Sequence, residues 1–170
     1  MVTSTTKAYC AYASISEKGT VTGAPGDQTG KELKVSQYYN FGQTYYFRFN
    51  ESVNAWWLCV IMYRLVNNNL IGYSQNTRTG LFNIVKKNGW KSKNVKSKCN
   101  CDCSSLVAAA FNCVFEKEYL KADTTTANLA SRLKATGQGH LYKIRKDYRP
   151  MAGDIIFKPG KHVIVCIGYK

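Results

Sequence analysis

Apolar positions along the middle of the chain recur at helical spacing, and near its end they condense into short β-type runs. Val53, Trp57, Val60, Ile61 and Leu65 fall on one helical stripe, and Leu58 and Met62 make much of the opposite face apolar too. That pattern predicts a mostly buried helix. After the polar break Asn67-Asn68-Asn69, the segment from Gln75 to Lys87 places Leu81, Ile84 and Val85 on one face. It ends in Lys86-Lys87, where cations favour the helix dipole, and Asn88-Gly89 supplies a stop, so a second helix is expected there. A third helix is expected over Cys103–Phe115 and a fourth over Thr126–Ala135, with Thr124 or Thr125 as N-cap and Gly137-Gln-Gly139 as terminator.

The period then changes. Asp154-Ile-Ile-Phe and His162-Val-Ile-Val-Cys-Ile are β-rich runs separated by Lys158-Pro159-Gly160-Lys161, a pattern that predicts a hairpin in an antiparallel sheet. The first fifty residues are rich in Gly, Thr, Ser and Tyr, with Pro25 and four glycines between Gly19 and Gly30, and read as loops with short strands. No internal repeat and no linker divides the 170 residues, so residues 1–170 are read as one domain. With 45% apolar residues and three prolines the composition is that of a globular chain. The longest apolar run, Ala55 to Tyr63, is about half of a membrane-spanning helix, so no membrane insertion is expected.

Charge narrows the set of partners. Lysine and arginine outnumber aspartate and glutamate 24 to 10, a formal net charge of +14, which implies a polyanionic partner such as nucleic acid, anionic membrane or the carboxylate- and phosphate-rich bacterial wall. Six of the lysines lie between Lys86 and Lys98 around Trp90. No nucleic-acid module accompanies them, so they read as a solvated surface that steers the protein to anionic wall polymers, with no nucleic acid as partner. The pairs Tyr38-Tyr39, Tyr45-Tyr46 and Trp56-Trp57 could line a glycan groove, but core packing is the reading taken.

Seven cysteines form an odd set, and the N-terminus lacks the apolar run and cleavage site of a secretory leader. The two together argue for synthesis in a reducing compartment with free thiols. Cys103 stands where a helical pattern begins, and a thiol there feels unpaired N–H groups and the positive end of the dipole, which should lower its pKa and make it a nucleophile. A thiol nucleophile needs a base, and the chain has two histidines. His140 sits in a turn-like context, Gly137-Gln-Gly-His-Leu-Tyr, whereas His162 opens a strand and so is the expected base. Cys99-x-Cys101-x-Cys103 has the wrong spacing for a structural zinc site and lacks a second pair, so no metal or other cofactor is expected. The stretch Gly23–Lys31 fails as a phosphate loop on spacing, and Glu32 follows its lysine.

The blocks Asp102-Cys103-Ser104-Ser105-Leu106-Val107, Gly153-Asp154-Ile155-Ile156-Phe157 and His162-Val163-Ile164, in that order, resemble the NlpC/P60 superfamily of papain-like cell-wall peptidases. Three N-terminal blocks, Ala13–Gly19, Gly26–Glu32 and Ile71–Arg78, resemble the phage endolysin branch of peptidoglycan amidohydrolases. The resemblance implies an α+β papain-like fold with helices packed on a small antiparallel sheet. It implies hydrolysis of an amide in peptidoglycan, either the muramoyl–L-alanine bond or one in the stem peptide. Cys103 would attack, His162 would act as base, and the Cys103 backbone N–H would join the oxyanion hole.

Such a family also implies synthesis in a host bacterial cytoplasm and action on the wall after release. It places a polar residue that orients the histidine on the following strand, where this chain offers nothing polar before Tyr169 and Lys170. That residue is therefore absent or supplied from elsewhere, and Asp27 and Gln28 are candidates for an orienting or substrate-binding role, with a plain Asx turn as the competing reading. Tyr73, Asp102 and Ser104 are further candidates for substrate binding or orientation. A non-catalytic wall-binding module of the same fold is the alternative function.

Overall fold

The computed structural model describes residues 6–15, 21–26 and 31–170. Its centre is a six-stranded sheet in the order β2-β1-β8-β7-β3-β6, with every neighbouring pair antiparallel. The strands are β1 (Ala8–Ala13), β2 (Leu33–Gln37), β3 (Tyr45–Phe49), β6 (Gly139–Lys143), β7 (Ile155–Lys158) and β8 (His162–Tyr169). A separate parallel pair joins β4 (Ile71–Tyr73) to β5 (Cys99–Cys101). Four α-helices are present among the described residues: α1 (Ser52–Val66), α2 (Gly80–Lys87), α3 (Cys103–Phe115) and α4 (Leu129–Ala135). The chain is thus α+β with a mainly antiparallel sheet.

One face of the sheet carries the helices and the larger core, in which Phe47, Phe111, Phe157, Leu58, Met62 and Leu106 are fully buried. The other face carries a smaller core of Cys10, Tyr12, Ile156, Ile164 and Cys166, roofed by Tyr38, Tyr39, Phe41, Tyr46 and Tyr148. Helix α3 runs through the larger core, with every residue from Ser104 to Cys113 buried. A run such as Leu-Val-Ala-Ala-Ala-Phe packs that way because it has no polar face to present to water. The C-terminal hairpin forms as its pattern predicts, with Ile156 opposite Ile164 and Lys158 opposite His162. Gly153, just before β7, has φ +89, and a Cβ there would lie 2.4 Å from the Cβ of Ala55 on α1. Only glycine lets the strand approach the helix this closely.

Several expectations are corrected. Helix α1 is buried on one face: Leu58, Ile61, Met62 and Leu65 point inward, while Val53, Trp56, Trp57 and Tyr63 are each more than 40% exposed. Of the predicted stripe, Val53 and Trp57 therefore face water while Ile61 and Leu65 are buried, and Trp56-Trp57 is not core. Helix α2 begins at Gly80 rather than Gln75, because Gln75 to Thr79 turn instead, with the Thr77 N–H donating to Ser74 Oγ. Helix α4 begins at Leu129, since Asn128 Oδ1 accepts from the Thr125 N–H and holds the preceding residues in a turn. Trp90 is buried against Phe82, and Lys86 and Lys91 are ion-paired with Glu118 and Glu116. The lysine-rich segment is accordingly partly neutralised. His140 lies on β6 opposite Arg48 and not in a turn. No helix among the described residues is long and apolar enough to cross a membrane.

Candidate active site

The N-terminus of α3 is built from the sequence Asp102-Cys103-Ser104-Ser105. Asp102 is the N-cap: its Oδ1 accepts from the Ser105 N–H at 2.7 Å, and its own N–H donates to Ser105 Oγ at 2.8 Å, a closed capping box. Cys103 is therefore held in the first turn of the helix. Arg78, from the turn before α2, clamps the cap. Its Nε donates to Asp102 Oδ2 at 2.6 Å, and its Nη2 donates to Ser104 Oγ at 2.9 Å and to the Thr124 carbonyl. Its Nη1 reaches the Ala122 carbonyl at 3.2 Å. One guanidinium thus ties the helix start to the loop that precedes α4.

His162 begins β8 on the sheet face that carries the smaller core. Its ring is met edge-on by Tyr12 at 5.6 Å and by Phe41 at 5.2 Å between centroids. Tyr12 in turn exchanges a hydrogen bond with Ser36 Oγ at 3.0 Å and contacts Tyr39. Nε2 of His162 is buried and has no hydrogen-bond partner among the described residues. A proton on the buried Nε2 would find no acceptor among the described residues.

These two elements meet at a cavity of about 560 Å³ whose lining includes Cys103, His162, Asp102, Ser104 and Tyr73. Tyr39, Phe41, Gln75 and Lys161 line it as well. The structure brings five of the seven residues singled out from sequence to one place. The other two, Asp27 and Gln28, lie outside the described residues. Ser104 is buried, donates to Asp102 Oδ1 at 3.1 Å and accepts from Arg78, so its hydroxyl is spent on the cap. Tyr73 is buried at the end of β4, and its hydroxyl accepts from Gln75 Nε2 at 3.2 Å.

The electrostatics overturn one expectation. Burial pushes the Cys103 thiol up to about 12, and the Asp102 carboxylate adds to that. Hydrogen bonding from the backbones of Val163 and Ser104 and the charge of Arg78 pull the other way but are outweighed. A helix start does offer the sulfur donors, as the sequence suggests, yet desolvation in the cleft wall wins. Burial also pushes His162 down to about 4. The resting pair is a neutral thiol and a neutral imidazole. The bonding from Val163 sets the sulfur beside the residue that follows His162.

Arg78 is the residue of this site that sequence reading misses as a participant. It lies 24 positions before Asp102, and nothing local marks it. Tyr12 and Phe41 were similarly hidden in an apparent loop region, and Tyr39, expected in the core, lines the cavity. Among the described residues no group of three or more His, Cys, Asp or Glu could hold a metal ion. Cys99 and Cys101 are buried in the larger core.

No match to the chain was found among curated proteins or among solved structures. Residues 10–169 match the model of the endolysin-like domain, so the match runs from β1 through β8 and takes in both Cys103 and His162. The chain belongs to the endolysin-like domain family.

Proposed function

We propose that this protein is a cysteine amidohydrolase of bacterial peptidoglycan, related in fold and chemistry to the NlpC/P60 peptidases. The observation that carries the reading is the opening of Cys103, from the first turn of α3, and His162, from the start of β8, onto one cavity. The family to which the chain belongs supports a role at the cell wall. In the proposed reaction the Cys103 sulfur attacks the amide carbonyl carbon while His162 takes the thiol proton. The carbonyl oxygen becomes an oxyanion, held by the Cys103 N–H at the helix start. Collapse expels the amine, which receives its proton from His162, and leaves a thioester that water hydrolyses with His162 again as base. Because the resting pair is neutral, His162 acts as a general base in the attack rather than as the cation of a preformed ion pair.

Asp27 and Gln28 are proposed for an orienting or substrate-binding role, a reading supported by Nε2 of His162 being buried without an acceptor among the described residues. Gly26, their neighbour, is anchored by its N–H to the Cys99 carbonyl and to Asn100 Oδ1, each at 3.1 Å. Val21, on the same segment, lines the cavity.

Mass spectrometry of fragments released from purified walls tests the reading. A new N-terminal L-alanine identifies cleavage at the muramoyl amide, and a new N-terminus further along identifies a stem-peptide cut. Release of no new amine overturns the enzymatic reading and favours a wall-binding module.

A further inference from the structure

We propose that a cationic groove on the sheet, separate from the cleft, binds a phosphodiester-bearing wall polymer. The proposal rests on the reading of the cleft as a wall-hydrolase site and extends it to the substrate's surroundings. Beyond β7 and β3, a groove of about 480 Å³ is lined by Lys143, Arg145 and Arg149 together with Tyr46, Tyr142 and Tyr148. The three tyrosines form a stack, Tyr142 on Tyr46 at 5.0 Å and Tyr46 on Tyr148 at 4.4 Å. Arg48 also borders the groove, but Asp154 neutralises it through two bonds of 2.7 Å. Asp147 is the groove's other carboxylate neighbour.

Lys143, Arg145 and Arg149 are exposed, and none makes an ion pair with a described residue. Arg149 donates to the Tyr148 carbonyl, which leaves its charge unmatched. Unpaired cations also continue toward the cleft. Lys158 faces His162 across the hairpin, and Lys161 lines the cavity itself. The register runs Tyr142, Tyr46, Ile156, Ile164 across β6, β3, β7 and β8. Ile156 and Ile164, which separate the groove from His162, are fully buried in the smaller core against which Tyr38, Tyr39 and Phe41 pack, so the groove is a site apart from the cleft.

Three unpaired cations lining one groove, from the end of β6 and the segment after it, call for a partner with closely spaced negative charge. A linear phosphodiester polymer has that density, whereas stem-peptide carboxylates recur once per much larger repeat. Arginine forks suit phosphate oxygens, and the tyrosine hydroxyls and ring faces suit the polyol between them.

The test uses sedimentation of purified walls with the Cys103→Ser chain, so that binding is measured without digestion. Intact walls and walls stripped of phosphodiesters by hydrofluoric acid are compared across a salt series. Binding is expected to fall at least about tenfold on stripping, and by a similar factor on intact walls when K143Q, R145Q and R149Q are combined. The charge-conserving set K143R, R145K and R149K should retain binding, and equal melting temperatures establish folding of both sets. Unchanged binding to stripped walls overturns the proposal in favour of peptidoglycan carboxylates. Equal binding by the neutralised set overturns the groove. Tighter capture of a DNA oligonucleotide than of wall polymer overturns the assignment of the partner. Wall lysis by the Cys103→Ser chain would instead overturn the hydrolase reading, leaving the binding results interpretable.

Discussion

Cys103 and His162 face one cleft, yet the two are fixed by opposite kinds of interaction. Around Cys103 the backbone is over-determined by polar contacts: a capping box, a guanidinium with four separate anchors and the hydroxyl of Ser104. Around His162 there are ring edges from Tyr12 and Phe41 and a buried nitrogen with no described partner. Hydrogen bonds specify direction, whereas ring contacts specify volume and leave rotation about χ2 softer. Cys103 is thus preorganised by polar bonds from this part of the chain, whereas among the described residues only ring contacts hold the His162 imidazole.

The largest effect expected is on the chemistry shared by both sides. Cys103→Ser and His162→Gln should each reduce release of fragments from purified walls by on the order of a thousandfold or more, with the folded chain retained. If only the cysteine change matters, the comparison breaks, because His162 would then be no more than cleft wall. A test of access alone is less telling. The other six cysteines are buried, so an alkylating reagent should label Cys103 first whatever the function. The discriminating measurement is the pH dependence of that labelling with and without His162.

The second effect is confined to the Cys103 side. Arg78→Ala leaves the Asp102 carboxylate, largely shielded from water, without its partner and removes the tie to the loop before α4. A loss of roughly 2–4 kcal/mol in unfolding free energy is expected from the stranded charge and the broken network. Arg78→Lys should recover less than half of it, because an ammonium keeps the charge but not the fork. Chemical denaturation of the two variants measures this. Equal stability of Arg78→Ala and wild type would mean that the capping box alone holds Cys103.

Much of the Cys103 side was legible in the sequence because it is local. Asp-Cys-Ser-Ser before an apolar run specifies a cap, a first-turn thiol and a helix, and α3 has the predicted bounds. The β7–β8 hairpin was legible for the same reason. Arg78 was not, since its partners come from residues 24 to 46 positions away and only the tertiary fold assembles them. Short strands were expected among the first fifty residues, but the bounds of β1, β2 and β3 were not legible, because glycine, threonine and serine dominate the surrounding composition and mask short runs such as Tyr-Tyr-Phe-Arg-Phe. The parallel pair of β4 and β5 rests on three residues each, too few to show a period. The direction of the Cys103 pKa was misread because a sequence reveals a helix start but not how far the cleft wall desolvates a thiol that stays partly exposed.

The third effect belongs to the His162 side. Its pKa in the folded chain is about 4 against an ordinary 6.5, with burial as the cause. As pH falls the unfolded chain takes up a proton first, so the stability associated with a neutral His162 is whole above about 6.5 and drains away as pH falls toward 4. The melting temperature should decline through that window in the wild type and decline less in His162→Gln. Activity should tell the same story, since a base that stays neutral to about pH 4 should hold the acid limb of kcat/KM well below 6.5. An acid limb near 6.5 would indicate that substrate or a further residue supplies the hydrogen bond His162 otherwise lacks.

The smallest effect asks whether rings alone hold the histidine. Tyr12→Phe removes the hydroxyl that meets Ser36 Oγ at 3.0 Å, while the ring that meets His162 edge-on stays in place. Loss of one partly buried hydrogen bond costs about 1 kcal/mol. If His162 is positioned by ring contact, that modest destabilisation should leave the rate of wall cleavage within about threefold of wild type, the scatter expected when no reacting contact is lost. Phe41→Ala, which removes a whole ring edge from the imidazole, should then reduce the rate more than Tyr12→Phe does. The opposite order would mean that the hydroxyl chain through Ser36 and Tyr12 fixes His162 through its backbone strand. In that case the base is held by polar bonds as the nucleophile is, and the contrast between the two sides of the cleft disappears.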